Sequence, residues 1–170
     1  MLGADQKGTA LKVTEFKFTP ETLILLRDVG WSEDYRFDVE VWRDYLKSIG
    51  CDLHKASEMF LSRFGNLRIN YPTGFKPVKG HNICLDPTDT PYDAESMGFA
   101  QRVLGKNLTV LGTCEVRYMT LSMATNGAVY GITDAGILYI ASSGEQAIDD
   151  YCMHRRLSYY VPDEEILDED

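Results

Sequence analysis

The sequence predicts an α+β domain: a mostly antiparallel sheet of about six strands, with N-terminal helices, a mid-chain helix and a C-terminal helix packed on it. Three observations carry that prediction. Apolar residues recur at helical spacing between Thr19 and Phe64, and each run stops at a glycine. After Gly65 the period falls to two. From Leu108 onward, strand-like segments alternate with the turn tripeptides TNG and DAG at hairpin spacing.

The elements follow in order. Residues 1–15 read as a flexible lead-in. In "FTPETLILLRDVG", Thr19 stands at an N-cap, Pro20 at the first helical position, Phe18 is placed to staple against Leu23, and Gly30 stops the helix. Trp31 then falls one residue past that glycine, where the usual apolar contact of such a stop sends its ring back onto Leu26. Asp38 can cap a second helix carrying Trp42, Tyr45, Leu46 and Ile49 before Gly50, and a third runs from Leu53 to Phe64. Leu67, Ile69 and Tyr71 alternate with polar neighbours as a strand, and Ile83 and Leu85 repeat the pattern. "TPYD", residues 90–93, has the form of a capping box with Pro91 in the first turn, ahead of a helix burying Met97, Ala100 and Leu104. Four strand segments form a meander after Leu108, and Ser142 with Glu145 opens a last helix. One layer of helices over the apolar side of a half-buried sheet satisfies this pattern.

At 170 residues the chain has the size of one domain. Its net charge of −9 is unevenly placed, because the last nine residues, "PDEEILDED", hold six carboxylates and leave 20 acids against 17 bases in the rest. That balance disfavours nucleic acid as a direct ligand, which needs clustered Lys and Arg, and it suits a basic protein partner or a merely solvated tail. Four cysteines at 51, 84, 114 and 152 show no CxxC spacing, so free buried thiols are expected and no metal site is indicated. No apolar run reaches membrane-spanning length, "MLGADQKGTALK" lacks a signal-peptide centre, and a cytoplasmic location with no membrane partner is expected.

Catalytic motifs are absent from the sequence: no nucleophile elbow, phosphate loop or dinucleotide fingerprint occurs. His54, His81 and His154 stand apart, each read as a surface or helix-end residue. The exception is "DPTDTPYDAE", which gathers Asp86, Asp89, Asp93 and Glu95 at a strand-to-helix junction. Paired carboxylates there could do acid/base work, hold a divalent metal, contact a partner, or satisfy the N–H groups of a helix start. The spacing misses the calcium-loop pattern. Ten tyrosines suit a protein interface and a half-exposed sheet equally well.

Taken together, Gly30-Trp31, Phe60-Leu61, Phe64-Gly65 with Leu67, Asp86-Pro87 and Gly112 stand in an order that resembles the SUKH superfamily, and within it the third subfamily, over residues 16–155. Where many members have Phe-Gly-Gly-Leu this chain has Phe64-Gly65-Asn66-Leu67, and asparagine tolerates the left-handed turn. The resemblance implies one SUKH-like domain at 16–157, and the carboxylate-rich end of the chain reads as an acidic tail at 158–170. It also implies an immunity protein of a bacterial polymorphic toxin system, which neutralises a cognate toxin domain, often a nuclease or deaminase, with no catalytic residues and no cofactor. Affinity of nanomolar order, about −12 kcal/mol, is expected of such a protein. The motif residues, Gly30, Trp31, Phe60, Phe64, Gly65, Leu67, Asp86, Pro87 and Gly112, are then structural. Expected partner contacts are Asp89, Tyr92, Asp93 and Glu95 with the acidic edge Asp149 and Asp150, facing a basic toxin surface. Two alternatives stand beside this: a regulatory scaffold, and an enzyme using the Asp86–Glu95 carboxylates.

Overall fold

A computed structural model describes residues 15–71, 83–114, 118–153, Arg155 and the backbone of 158–159. The lead-in before Glu15, the acidic tail from Tyr160, His81 and His154 lie outside the described residues. Three helices come first, α1 (Pro20–Asp28), α2 (Glu40–Ser48) and α3 (Lys55–Phe64), then the short strands β1 (Arg68–Ile69) and β2 (Ile83–Cys84) and a 3-10 turn at Pro87–Asp89. Helix α4 (Ala94–Leu104) leads into β3 (Leu108–Cys114), β4 (Met119–Ala124), β5 (Val129–Thr133) and β6 (Gly136–Ala141), followed by α5 (Gly144–Cys152) and β7 (Ser158–Tyr159). The seven strands lie in sequence order in one open sheet, every neighbouring pair antiparallel. The expected meander is therefore present. Its seventh strand, Ser158–Tyr159, lies within the span 158–170 expected to be an acidic tail.

Helix ends follow the glycine punctuation. At the end of α1, Gly30 takes φ +89°, its N–H donates to Arg27 O at 3.0 Å, and the Trp31 N–H reaches Leu26 O at 3.0 Å. This pair of bonds satisfies carbonyls that the last helical turn leaves open. The same two-bond closure ends α2 at Gly50-Cys51 and α4 at Gly105-Lys106. α3 ends differently: the left-handed residue is Asn66, at φ +62°, while Gly65 has an ordinary negative φ. Gly65 is required for space, since a Cβ there would stand 2.4 Å from Leu61 O and 3.0 Å from the Phe37 and Trp42 rings.

Helix starts moved where a neighbouring turn took the expected cap. Thr90 does not open α4, because its hydroxyl donates to Pro87 O at 2.9 Å and closes the 3-10 turn. Asp93 caps the helix three residues later, accepting the Ser96 N–H at 2.8 Å. α5 is capped by Ser143 rather than Ser142, and α3 by His54, whose Nδ1 accepts the Ser57 N–H at 3.3 Å. That bond assigns the proton to His54 Nε2, which lies 2.9 Å from Met123 O and donates to it.

Residues paired across neighbouring strands share a face, so Thr109 with Met123 marks one side of the sheet and Val110 with Ser122 the other. α3 lies on the first side, where Ser57 Oγ donates to Thr109 Oγ1 at 3.1 Å. Phe60, Leu121, Val129, Ile148 and Tyr151 surround one small apolar cavity, which puts α5 on that side too. α4 lies on the second side, with Met97 Sδ 4.0 Å from Ser122 Oγ. β3 and β4 are consequently buried at every position. A single helix layer over a half-buried sheet was the expectation; helices cover both faces instead, and the hydroxyl residues Thr109, Thr113, Thr120 and Ser122 are buried.

Trp31 sits inside this packing. Its ring stacks on Phe64 with centroids 5.6 Å apart and planes within 9°, and Phe18 meets it edge-on at 5.8 Å. The indole N–H donates to Arg63 O at 3.0 Å. The ring therefore ties the end of α1 to the end of α3, a longer-range contact than the fold back onto Leu26 that the helix stop suggests. Gly112 marks a register shift between β3 and β4, at φ +153°, and a Cβ there would stand 1.9 Å from Cys84 O. No other residue fits that approach of β2.

Candidate functional site

The acid-rich junction after β2 divides into two parts. In the first, Asp86 accepts the Thr88 N–H at 2.9 Å and caps the 3-10 turn, and Arg68 of β1 spans the pair, 2.9 Å from Asp89 Oδ2 and 3.4 Å from Asp86 Oδ2. The two carboxylates hold the Arg68 guanidinium above its usual range, chiefly through the hydrogen bond with Asp89. A guanidinium already seated between two carboxylates occupies the place a divalent cation would need. Among the described residues no group of three or more His, Cys, Asp or Glu is arranged to hold a metal ion.

In the second part, Asp93 and Glu95 are exposed at the start of α4. Hydrogen bonds from the Ser96 side chain and N–H hold the Asp93 carboxyl below the usual range. Tyr92 is half-buried, its hydroxyl donating to Ile49 O at 2.9 Å, so it straps the end of α2 while its ring borders the surface. Across from these residues comes the β5–β6 turn, with Thr133 and Asp134. Asp93, Glu95, Phe99, Arg102, Thr133 and Asp134 line one open trough of about 580 Å³. A second depression continues it past Tyr92 and Met97 towards Thr120 and Ile132. The volume is of ligand-pocket size, within about 300–1,000 Å³, yet the walls are charged and open, which suits a segment of protein chain better than an apolar small molecule.

The expected acidic edge on α5 is built differently from the expectation. Asp149 is only 2 % exposed. Its Oδ1 accepts from the Thr19 N–H at 2.9 Å and the Thr19 hydroxyl at 3.0 Å, and Arg155 lies 3.0 Å from its Oδ2. α1 therefore has its N-terminus satisfied by a carboxylate of α5, and Thr19 makes no side-chain cap within its own helix. Burial pushes the Asp149 carboxyl up, but the bonds from Thr19 and Thr22 and the Arg155 charge outweigh it and hold the group below the usual range. A carboxylate buried among its donors is not open to a partner. Asp150 is half-buried and receives Gln146 Nε2 and Arg155, both at 2.6 Å.

Of the six expected contact residues, the fold thus brings Asp93 and Glu95 to one trough and Tyr92 to the depression that continues it, gives Asp89 to Arg68, and turns Asp149 and Asp150 to Arg155. Asp134, Thr133, Phe99 and Arg102 complete the trough and were not singled out from the sequence. The DAG turn reads only as a hairpin signal, and its approach to α4 is a tertiary fact. Of the nine motif residues, Trp31, Phe60, Phe64, Gly65, Leu67, Pro87 and Gly112 are buried, Asp86 caps the 3-10 turn, and Gly30 closes α1.

All four cysteines are buried thiols. Desolvation pushes the Cys84 thiol up to about 11 and the Cys152 thiol up to about 12, which keeps both protonated and poor as nucleophiles. No helix among the described residues is long and apolar enough to cross a membrane.

A family model described as SUKH-3 immunity protein matches residues 18–153. No curated protein and no solved structure matches the chain.

Proposed function

The chain belongs to the SUKH-3 immunity protein family, and from that membership we propose that it neutralises a cognate bacterial toxin domain by direct protein contact, without chemistry of its own. The observation that carries this reading is the match itself, which among the described residues spans every helix and all but the last strand of the sheet. The site geometry supports it: the carboxylates best placed for catalysis are engaged by Arg68, while the accessible ones border an open trough. The partner on this reading is a basic toxin domain, a nuclease or deaminase in kind, met in the cytoplasm of the producing cell. The mildly acidic body of the chain raises the association rate with such a partner and makes it sensitive to salt.

The test is co-expression with the C-terminal domain encoded by the neighbouring gene. Growth rescue together with co-purification is the expected result. A domain that kills while this protein neither rescues growth nor co-purifies with it would refute the proposal.

A further inference from the structure

Resting on that immunity reading, we propose that the trough between α4 and the β5–β6 turn is the docking site, and that it seats an extended segment of the toxin carrying a cationic side chain. The arginine ion pairs among the described residues lie away from the trough. Arg68 takes Asp86 and Asp89, Arg155 takes Asp149 and Asp150, Arg63 takes Glu145, and Arg43 takes Glu40. Glu95 and Asp134, which both line the trough, have no ion pair among the described residues. Asp93 is engaged only as the α4 cap, through Ser96. Three carboxylates thus converge on one concave surface.

The second feature is aromatic. Phe99 is 42 % exposed on the wall of the trough, while Met97, Ala100 and Val103 of the same helix are buried. Tyr139 pairs with Tyr130 across β5 and β6, which places it on the sheet face that α4 covers, and it remains 37 % exposed. An exposed aromatic ring beside unpaired carboxylates matches an arginine or lysine: the ring takes the face of the cation and the carboxylates take its N–H groups.

The third feature is a polarity along the trough. Glu95 and Arg102 stand seven positions apart on α4, about 10 Å along the axis at 1.5 Å per residue. An extended chain covers that distance in about three residues at 3.3 Å each. The complementary segment therefore carries its cation opposite Asp93, Glu95 and Asp134, and an acid or free carbonyl about three residues away opposite Arg102.

The test measures binding of the neighbouring gene's toxin domain to the full-length chain by surface plasmon resonance at two salt concentrations, alongside growth rescue. The variants are Glu95→Lys with Asp134→Lys, and separately Phe99→Ala; these side chains are exposed and the helix cap is left intact. A control, Glu21→Lys with Asp44→Lys, makes the same charge change on α1 and α2, where both acids are exposed and line neither the trough nor the depression that continues it. We expect the trough double variant to bind about 100-fold or more weakly, with a slower association that loses its salt dependence, and the control to change by less than about threefold. Phe99→Ala is expected to weaken binding about tenfold or more, mainly through faster dissociation. Wild-type affinity in both trough variants overturns the docking site while a protective wild type leaves the immunity reading standing. A wild type that neither binds nor protects defeats both.

Discussion

Replacing Trp31 by alanine tests the junction on which the helical half depends. The side chain is 6 % exposed, stacked on Phe64 at 5.6 Å, flanked by Phe18 at 5.8 Å, and bonded through its indole N–H to Arg63 O. Truncation to Cβ uncovers roughly 150 Å² of apolar surface, or about 4 kcal/mol at 25 cal/mol per Å². Loss of the indole bond adds about 1 kcal/mol, and relaxation of the Phe18 and Phe64 rings into the space returns part of the total. The net expectation is a destabilisation of about 3–5 kcal/mol, in line with other large-to-small changes in cores. In urea, with a slope of about 2 kcal/mol per molar, the midpoint falls by about 2 M while the slope stays unchanged. Trp31→Phe keeps a ring in the stack and loses only the bond and some volume, so it falls by about 1–2 kcal/mol. An alanine variant with an unmoved midpoint and weakened toxin binding would show that Trp31 anchors the partner and not the helices.

The remaining expectations concern other parts of the molecule. Asp149→Asn removes the charge that holds Thr19 and Arg155, lowering stability by about 2–3 kcal/mol at neutral pH. Because the native carboxyl is depressed, its contribution is present above the ordinary carboxylate value of about 3.9 and is lost as the pH falls through the native one. Melting temperatures of wild type and variant should therefore converge on acidification below about pH 4, and a gap that persists there would refute the assignment. Gly112→Ala is expected to leave little soluble protein, since its Cβ would stand 1.9 Å from Cys84 O, whereas Gly30→Ala, with nothing within 4 Å, loses only about 1 kcal/mol of left-handed strain. Native protein at pH 8 should resist iodoacetamide and take up label only in denaturant, as intact mass will show; rapid labelling of Cys84 or Cys152 would contradict their burial.

Much of the fold is legible because its signals are local. Gly30, Gly50 and Gly105 mark helix ends through backbone geometry that one residue and its four or five predecessors decide. Asn66 keeps a left-handed turn for the same reason. The alternation at Leu67, Ile69 and Tyr71 and the turns at TNG and DAG announce strands within a few residues. Cap positions were less secure, because a hydroxyl has rival acceptors close by: Thr90 closes the turn before α4, and Thr19 turns to Asp149.

The surface was legible only in part. Asp93 and Glu95 stand in a visibly acidic stretch, and so do Asp86, Asp89, Asp149 and Asp150, but composition cannot say which of them an arginine will claim. Arg68 reaches Asp89 from 21 positions away in the chain, and Asp149 meets Thr19 from 130.

By itself, then, the amino-acid sequence determined the order of helices and strands, the antiparallel meander and the family pattern, since each rests on bonds between near neighbours or on motif order. Tertiary structure alone decided that helices cover both faces of the sheet, that Trp31 closes the junction of α1 with α3, and that the β5–β6 turn meets α4 to form the trough. The physical reason is that burial and ion pairing depend on which distant side chains arrive at the same place. A carboxylate is a cap, a buried tie or an open contact according to what packs against it.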